Sequence, residues 1–219
     1  MNKQFFYNQQ NNNYSISGSR LAHILALLPP KKDLKILDMG CGKGELAQTL
    51  INLGHQVYGA DVSNEALEVA KKFLVRHYCF NFEDENWPVD LLKEKFDVVV
   101  ASEVVEHVFW PVEFLNNLSL LVKDDGRIIV TTPNFLFWKN RLKMFFGFFN
   151  YQKNGLLDFG HIRFFSYDFF KKTIQQSQLK IDCERNFYPN FYKRGLSFLG
   201  ALLPGLFAYQ FIVSLTKKN

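Results

Sequence analysis

Cysteine is scarce in this sequence: Cys41, Cys79 and Cys183 are the only three in 219 residues, and no two of them form a CxxC pair. That suggests neither a disulfide framework nor a thiolate zinc site, and a reducing cytoplasm suits such a chain. The N-terminal stretch MNKQFFYNQQNNNYS lacks the apolar core and small-residue cleavage site of a secretory signal. Residues 1–18 therefore read as a flexible arm ahead of a single domain over 19–219. Long runs of one charge are missing as well. The formal charge is +5, but Lys and Arg are scattered, with no dense basic stripe and no RNA-binding motif. Nucleic acid is not an expected partner, and the sequence does not specify a protein partner. One stretch, 195–215, runs uncharged for the length of a membrane span. Pro204-Gly205 interrupts it, and an all-apolar last strand over 209–215 is the simpler reading, so no transmembrane segment is expected.

What the chain has in quantity is aromatic surface, 24 Phe and 9 Tyr, which a disordered chain would not carry. From residue 34 onward short aliphatic runs alternate with Gly or Asp turns and helical stretches, the pattern of a parallel sheet with crossover helices. Strands are expected at 35–38, 56–61, 77–82, 96–101 and 127–132. Helices are expected at 19–28, 44–53, 63–75 and 111–122, with Ser63 as an N-cap. After the fifth strand a basic, aromatic insertion over 134–160 breaks the alternation and reads as a lid, followed by a helix at 166–177 and a strand at 179–187. Its Phe135, Trp138, Phe145, Phe146, Phe148 and Phe149 suit an apolar or aromatic acceptor or contact with a lipid surface. Ordinary packing is the plainer reading.

The most informative stretch is Ile36–Glu45, ILDMGCGKGE, where a strand ends at Asp38 and glycines alternate at Gly40, Gly42 and Gly44 before a helix begins. Such glycines let the backbone turn sharply against a ligand. A dinucleotide fingerprint would need glycine at position 45, where Glu stands, and Asp38 would repel a pyrophosphate. An acidic strand end instead suits an ammonium group with a sulfonium nearby, as in S-adenosylmethionine. Asp61, ending the second strand, can accept two ribose hydroxyls.

Together ILDMGCGKGE, GADVS, FDVVVASEVVEHV and GRIIVTTPN resemble the successive motifs of class I S-adenosylmethionine-dependent methyltransferases, over roughly residues 34–185. The resemblance implies an α/β, Rossmann-like fold with a seven-stranded, mostly parallel sheet in the order 3-2-1-4-5-7-6, helices on both faces and strand seven antiparallel. It implies that Asp38, Gly40, Cys41 and Gly42 surround the methionine end of the cofactor. Asp61 would take the ribose, Val62, Asn81 and Phe82 the adenine, and Ala101 with Ser102 the pocket floor. The family often has Asp where Asn81 stands.

Glu103-Val-Val-Glu106-His107 would, if helical, place two carboxylates and an imidazole on one face, and His161 follows the insertion. Glu103, Glu106, His107 and His161 form a reasonable set for Mg²⁺, Mn²⁺ or Zn²⁺. This group is similar to that of the ubiquinone-biosynthesis O-methyltransferases and the RNA 3′-terminal 2′-O-methyltransferases, which implies metal-assisted methylation of one oxygen of a vicinal pair. Without metal, His107 or His161 would serve as general base. The chain is similar also to the methionine-biosynthesis W family, which implies a regulatory subunit beside an acyltransferase. The leading expectation is an O-methyltransferase acting on a small-molecule, glycan or lipid-linked acceptor. Asn134 is a further candidate for acceptor contact, and Arg163 is expected to bind a backbone carbonyl.

Overall fold

The structure, a computed structural model, describes residues 16–152, 155–188, 200 and 202–218. The expected arm lies outside these residues except for its last three positions. Helix α1 (Gly18–Leu25) precedes β1 (Lys35–Met39), α2 (Glu45–Asn52), β2 (Gln56–Asp61), α3 (Asn64–Ala70) and β3 (Arg76–Cys79). Then come α4 (Val89–Leu92), β4 (Phe96–Ser102), a single 3₁₀ turn (Val105–His107), α5 (Pro111–Leu121) and β5 (Val122–Pro133). The chain continues with α6 (Trp138–Phe145), α7 (Tyr167–Gln176), β6 (Leu179–Glu184), α8 (Pro204–Phe207) and β7 (Gln210–Lys217).

The strands form one sheet in the order β3-β2-β1-β4-β5-β7-β6, with β7 antiparallel to both neighbours. Because side chains alternate across a strand, the near-continuous apolar runs feed two cores. Leu37, Val99, Ile128, Val130 and Phe211 face α5 and α7, while Ile36, Val98, Val100, Ile129 and Ile212 face α1 and α2. The stretch once measured against a membrane span ends as β7, buried in this sheet. Among the described residues no helix is long and apolar enough to cross a membrane.

Local chemistry fixes the helix starts. Ser63 accepts from the Ala66 amide and Ser166 from the Phe169 amide, and Pro111 opens α5 where its missing N–H costs nothing. The expected helix over 63–75 stops at Ala70 and tightens into a 3₁₀ turn, and the expected strand 77–82 closes at Cys79, leaving Asn81 and Phe82 in the loop beyond it. Connections β1–α2, β2–α3 and β4–α5 all open at the carboxyl ends of the strands, and β1 lies between β2 and β4, so the strand order reverses there and a crevice results.

Asn134 is fully buried, contrary to the expectation that it touches an acceptor. Its amide nitrogen donates to Gly205 O (3.1 Å) and Ala208 O (2.7 Å), and its side-chain oxygen accepts from the Leu136 amide (3.0 Å). It thereby ties the exit of β5 to the entry of β7. Asn134→Ala should cost about 2–4 kcal/mol, since it leaves two carbonyls and an amide without their partner. Chemical denaturation checks this, and a change below about 0.5 kcal/mol would mean that water replaces the side chain.

Candidate active site

The glycine turn is pinned to β2. Gly40 and Cys41 both donate their amides to Ala60 O (2.7 and 3.0 Å), while the Asp61 carboxylate accepts from Gly42 N (2.8 Å) and Ser63 N (2.8 Å). Gly40 sits at φ +81°, and a Cβ there would lie 2.5 Å from Val104 Cγ2. Both facts demand glycine. Beside the turn opens a cavity of about 440 Å³ whose wall includes Asp38, Gly40, Cys41, Gly42, Asp61, Val62, Asn81, Phe82, Ser102, Glu103, His107 and His161. Most of the residues read from the sequence thus meet in one place. Ala101 does not: it is buried in the core beneath, because the alternation of β4 turns it into the sheet.

Two carboxylates are buried in this wall. Burial, then the nearby Asp61, pushes Asp38 up to about 7, and its Oδ2 has no hydrogen-bond partner. Burial raises Asp61 as well, against the pull of the amides that it accepts. The Cys41 thiol is driven well above its ordinary range by burial and by both carboxylates, so it is a protonated, inert wall.

The ExxEH segment does not form the helix that would align its three polar residues. Glu103 adopts φ +58°, reversing the chain at the end of β4, and only one 3₁₀ turn follows. Its carboxylate consequently leaves the expected metal group. Oε1 accepts from Gln210 Nε2 (2.6 Å) and Thr131 Oγ1 (3.1 Å), and Oε2 pairs with Arg20 at 3.2 Å.

Glu106, His107 and His161 do converge, offering ligand atoms all within 4.8 Å of one another. His107 Nδ1 lies 2.8 Å from Gly160 O and His161 Nδ1 lies 3.2 Å from Leu156 O. A carbonyl only accepts, so each Nδ1 carries the proton of its hydrogen bond. His161 Nε2 stands 3.9 Å from Glu106 Oε1, and the fully buried Glu106 carboxyl has only poorly placed hydrogen-bonding groups beside it, the Thr132 hydroxyl and its own backbone amide. Burial, and next the Glu103 charge, hold its carboxyl well above the usual range. Two imidazoles and a buried carboxyl whose ligand atoms lie within 4.8 Å of one another are a donor set that suits a divalent ion.

Sequence reasoning missed Arg20, Glu45, Asp158, Tyr209 and Gln210, all of which line the cavity. Glu45 also accepts from the Ile16 amide (2.7 Å), drawing the start of α1 across the opening. Only the acidic first turn of α2 hinted at any of these. Arg163 behaves as expected, donating twice to Phe109 O (3.1 and 2.6 Å).

A glycine turn and paired acidic strand ends in a 3-2-1-4-5-7-6 sheet define a class I S-adenosylmethionine-dependent methyltransferase. A family model described as a methyltransferase domain matches residues 12–184, and the chain belongs to that family. Among relatives, the ubiquinone biosynthesis O-methyltransferase of Pelagibacter ubique is 36% identical over 107 residues, covering 48% of this chain and 44% of that protein. The mitochondrial ubiquinone biosynthesis O-methyltransferase of Schizosaccharomyces pombe is 41% identical over 102 residues, covering 45% and 37%. The matched segment spans less than half of each relative. Among solved structures, magnesium protoporphyrin IX methyltransferase from Synechocystis PCC 6803, with bound SAH, superposes with a TM-score of 0.65 at 16% identity, covering 99% of this chain and 98% of that one. An S-adenosylmethionine-dependent methyltransferase from Mesorhizobium loti gives 0.64 at 17%, covering 91% and 98%.

A carboxyl raised in the fold keeps a proton that the unfolded chain releases, so Asp38 weakens the ligand-free fold as pH climbs from 3.8 to about 7 and leaves it weakened above that. Asp38→Asn should therefore raise the melting temperature of the ligand-free protein at pH 8 by at least about 2–4 °C while weakening S-adenosylmethionine about tenfold or more. An unchanged melting temperature in scanning calorimetry would mean that the native carboxylate is already neutralised.

Proposed function

We propose that this chain methylates a hydroxyl oxygen of a small-molecule or lipid-linked acceptor, with S-adenosylmethionine as donor. The observation that carries this reading is the buried, unpartnered Asp38 oxygen beside the glycine turn, in the same cavity as the imidazoles of His107 and His161. Asp38 would take the ammonium group of the donor, which in turn removes the cost of ionising that carboxyl. The Asp61 carboxylate accepts backbone amides on both oxygens and keeps lone-pair capacity for a ribose hydroxyl. Val62 and Phe82 offer apolar faces to the adenine, and Asn81 borders it. Bound S-adenosylmethionine supplies an electrophilic methyl group for in-line displacement.

Glu106, His107 and His161 would hold a divalent cation, whose chemistry is to lower the pKa of a coordinated hydroxyl and fix a neighbouring oxygen. Glu103 would act behind them, positioning the turn instead of ligating. The naming of the relatives as O-methyltransferases supports oxygen as the acceptor atom. A second reading has its own support: His107 and His161 reach the cavity wall whereas Glu106 lies behind it, so His107 Nε2 could accept the hydroxyl proton directly.

Release of S-adenosylhomocysteine from a panel of catechols and vicinal diols, assayed with chelator and then with Mg²⁺, Mn²⁺ or Zn²⁺, tests both. Glu106→Gln is expected to lower kcat about a hundredfold or more with cofactor affinity unchanged. Turnover indifferent to chelator and to Glu106→Gln, yet lost in His107→Gln, would overturn the cation reading in favour of the base. Failure to bind S-adenosylmethionine at all would sink the proposal itself.

A further inference from the structure

Large apolar side chains that a fold leaves in water in one contiguous group mark a contact surface. Here Leu142, Phe145, Phe146, Phe148 and Phe149 are exposed to 51%, 82%, 64%, 62% and 43%, all within eight residues. They do not belong to a loose loop. Arg141 donates through Nε to Leu136 O (2.6 Å) and through Nη2 to Gly205 O (3.2 Å), and Asn140 donates to Phe135 O (3.1 Å). At the end of α6, Gly147 turns at φ +80° and the Phe148 amide returns to Lys143 O (2.9 Å). Behind the turn, the Phe149 ring packs edge-on against Phe135 (6.1 Å) and Phe164 (6.3 Å). Backbone and inner rings are anchored, and the outer rings are held out.

Charge identifies what this surface meets. Between Asp125 and Asp158 the sequence holds no acidic residue, and α6 presents Lys139, Arg141 and Lys143, all exposed, beside the apolar group. A second copy of this chain would set cation against cation, which disfavours self-association through the patch. An anionic bilayer answers both features, because its headgroups attract lysine and its interface accepts aromatic rings. The surface also borders the cavity. Past the turn, Tyr151 stacks on Phe159 (5.8 Å, 16° between planes), and Gly155, Leu156 and Asp158 of the same segment form part of the cavity wall.

We propose that residues 138–149 dock this protein onto an anionic phospholipid surface, inserting Phe145, Phe146 and Phe148 at the level of the acyl chains while Lys139 and Lys143 meet the headgroups, with the cavity mouth close to the lipid. This inference is independent of which acceptor is methylated, and it stands whether or not the donor site binds as proposed.

Flotation of the full chain with vesicles of phosphatidylcholine alone, and of phosphatidylcholine mixed with phosphatidylglycerol, is the test. Binding is expected to the mixed vesicles, to weaken with added salt, and to drop about tenfold or more in the Phe145→Ser/Phe146→Ser/Phe148→Ser variant. The Lys139→Glu/Lys143→Glu variant should lose the preference for phosphatidylglycerol. Both variants change only exposed side chains, and an unchanged melting temperature and S-adenosylmethionine titration would show that fold and donor site are intact. Absence of binding by the unaltered chain at low salt overturns the proposal. So does equal binding by the triple variant, or a dimer in light scattering that the triple variant abolishes, which would assign the patch to self-association.

Discussion

The site depends on one buried ion pair. Glu103 ends β4 in a left-handed conformation, which a residue with a Cβ enters at a cost of about 1–2 kcal/mol, and it remains there because its carboxylate is held from three directions. Arg20 reaches it from α1, Thr131 from β5 and Gln210 from β7. These elements are remote in sequence, and Arg20, Glu103 and Gln210 meet in the cavity wall. The same reversal sends the chain directly into the 3₁₀ turn that delivers Glu106 and His107. A glycine at position 103 would relieve the strain but would release α1 from the cavity wall, so geometry and charge there cannot be separated.

Around this pair the protein buries more negative charge than it neutralises. Asp38 is raised to about 7, and Asp61 and Glu106 are also raised, mainly because each has been removed from water. A fold selected only for stability would replace such groups by apolar ones. Retaining them makes sense where a cation arrives from outside. An ammonium or sulfonium group suits the first pair, and a metal ion suits the third carboxyl. The preorganisation therefore costs the ligand-free state and is recovered on binding, which makes affinity and pH two views of one quantity.

The meeting of the strand-end residues in one cavity was readable from the sequence, and the arrangement of the ExxEH side only partly. Asp38, the glycines and Asp61 are set by motifs a few residues long, each at a strand end, where local geometry determines placement. The sheet order came with the resemblance to the family. The expectation for Glu103 failed because three polar residues at i, i+3 and i+4 presuppose a helix, and one left-handed residue removes it. Arg20 and Gln210 carried no local signal, since their roles arise from contacts across 83 and 107 positions, and Asn134 looked like a ligand contact while serving as a staple between β5 and β7. Failures of this kind follow from long-range packing, which a linear pattern does not encode.

The insertion joins the two halves of the chemistry. Its residues 155–160 supply the carbonyls of Leu156 and Gly160 that accept from Nδ1 of His161 and His107, and a Cβ on Gly160 would press within 3.1 Å of the His107 ring. Both rings, which line the cavity, are thereby tied to this segment. The same segment continues outward through Phe159 and Tyr151 to the exposed aromatic turn. Under the proposed function the insertion would therefore bear on acceptor entry, since it carries both the exposed aromatic turn and part of the cavity wall.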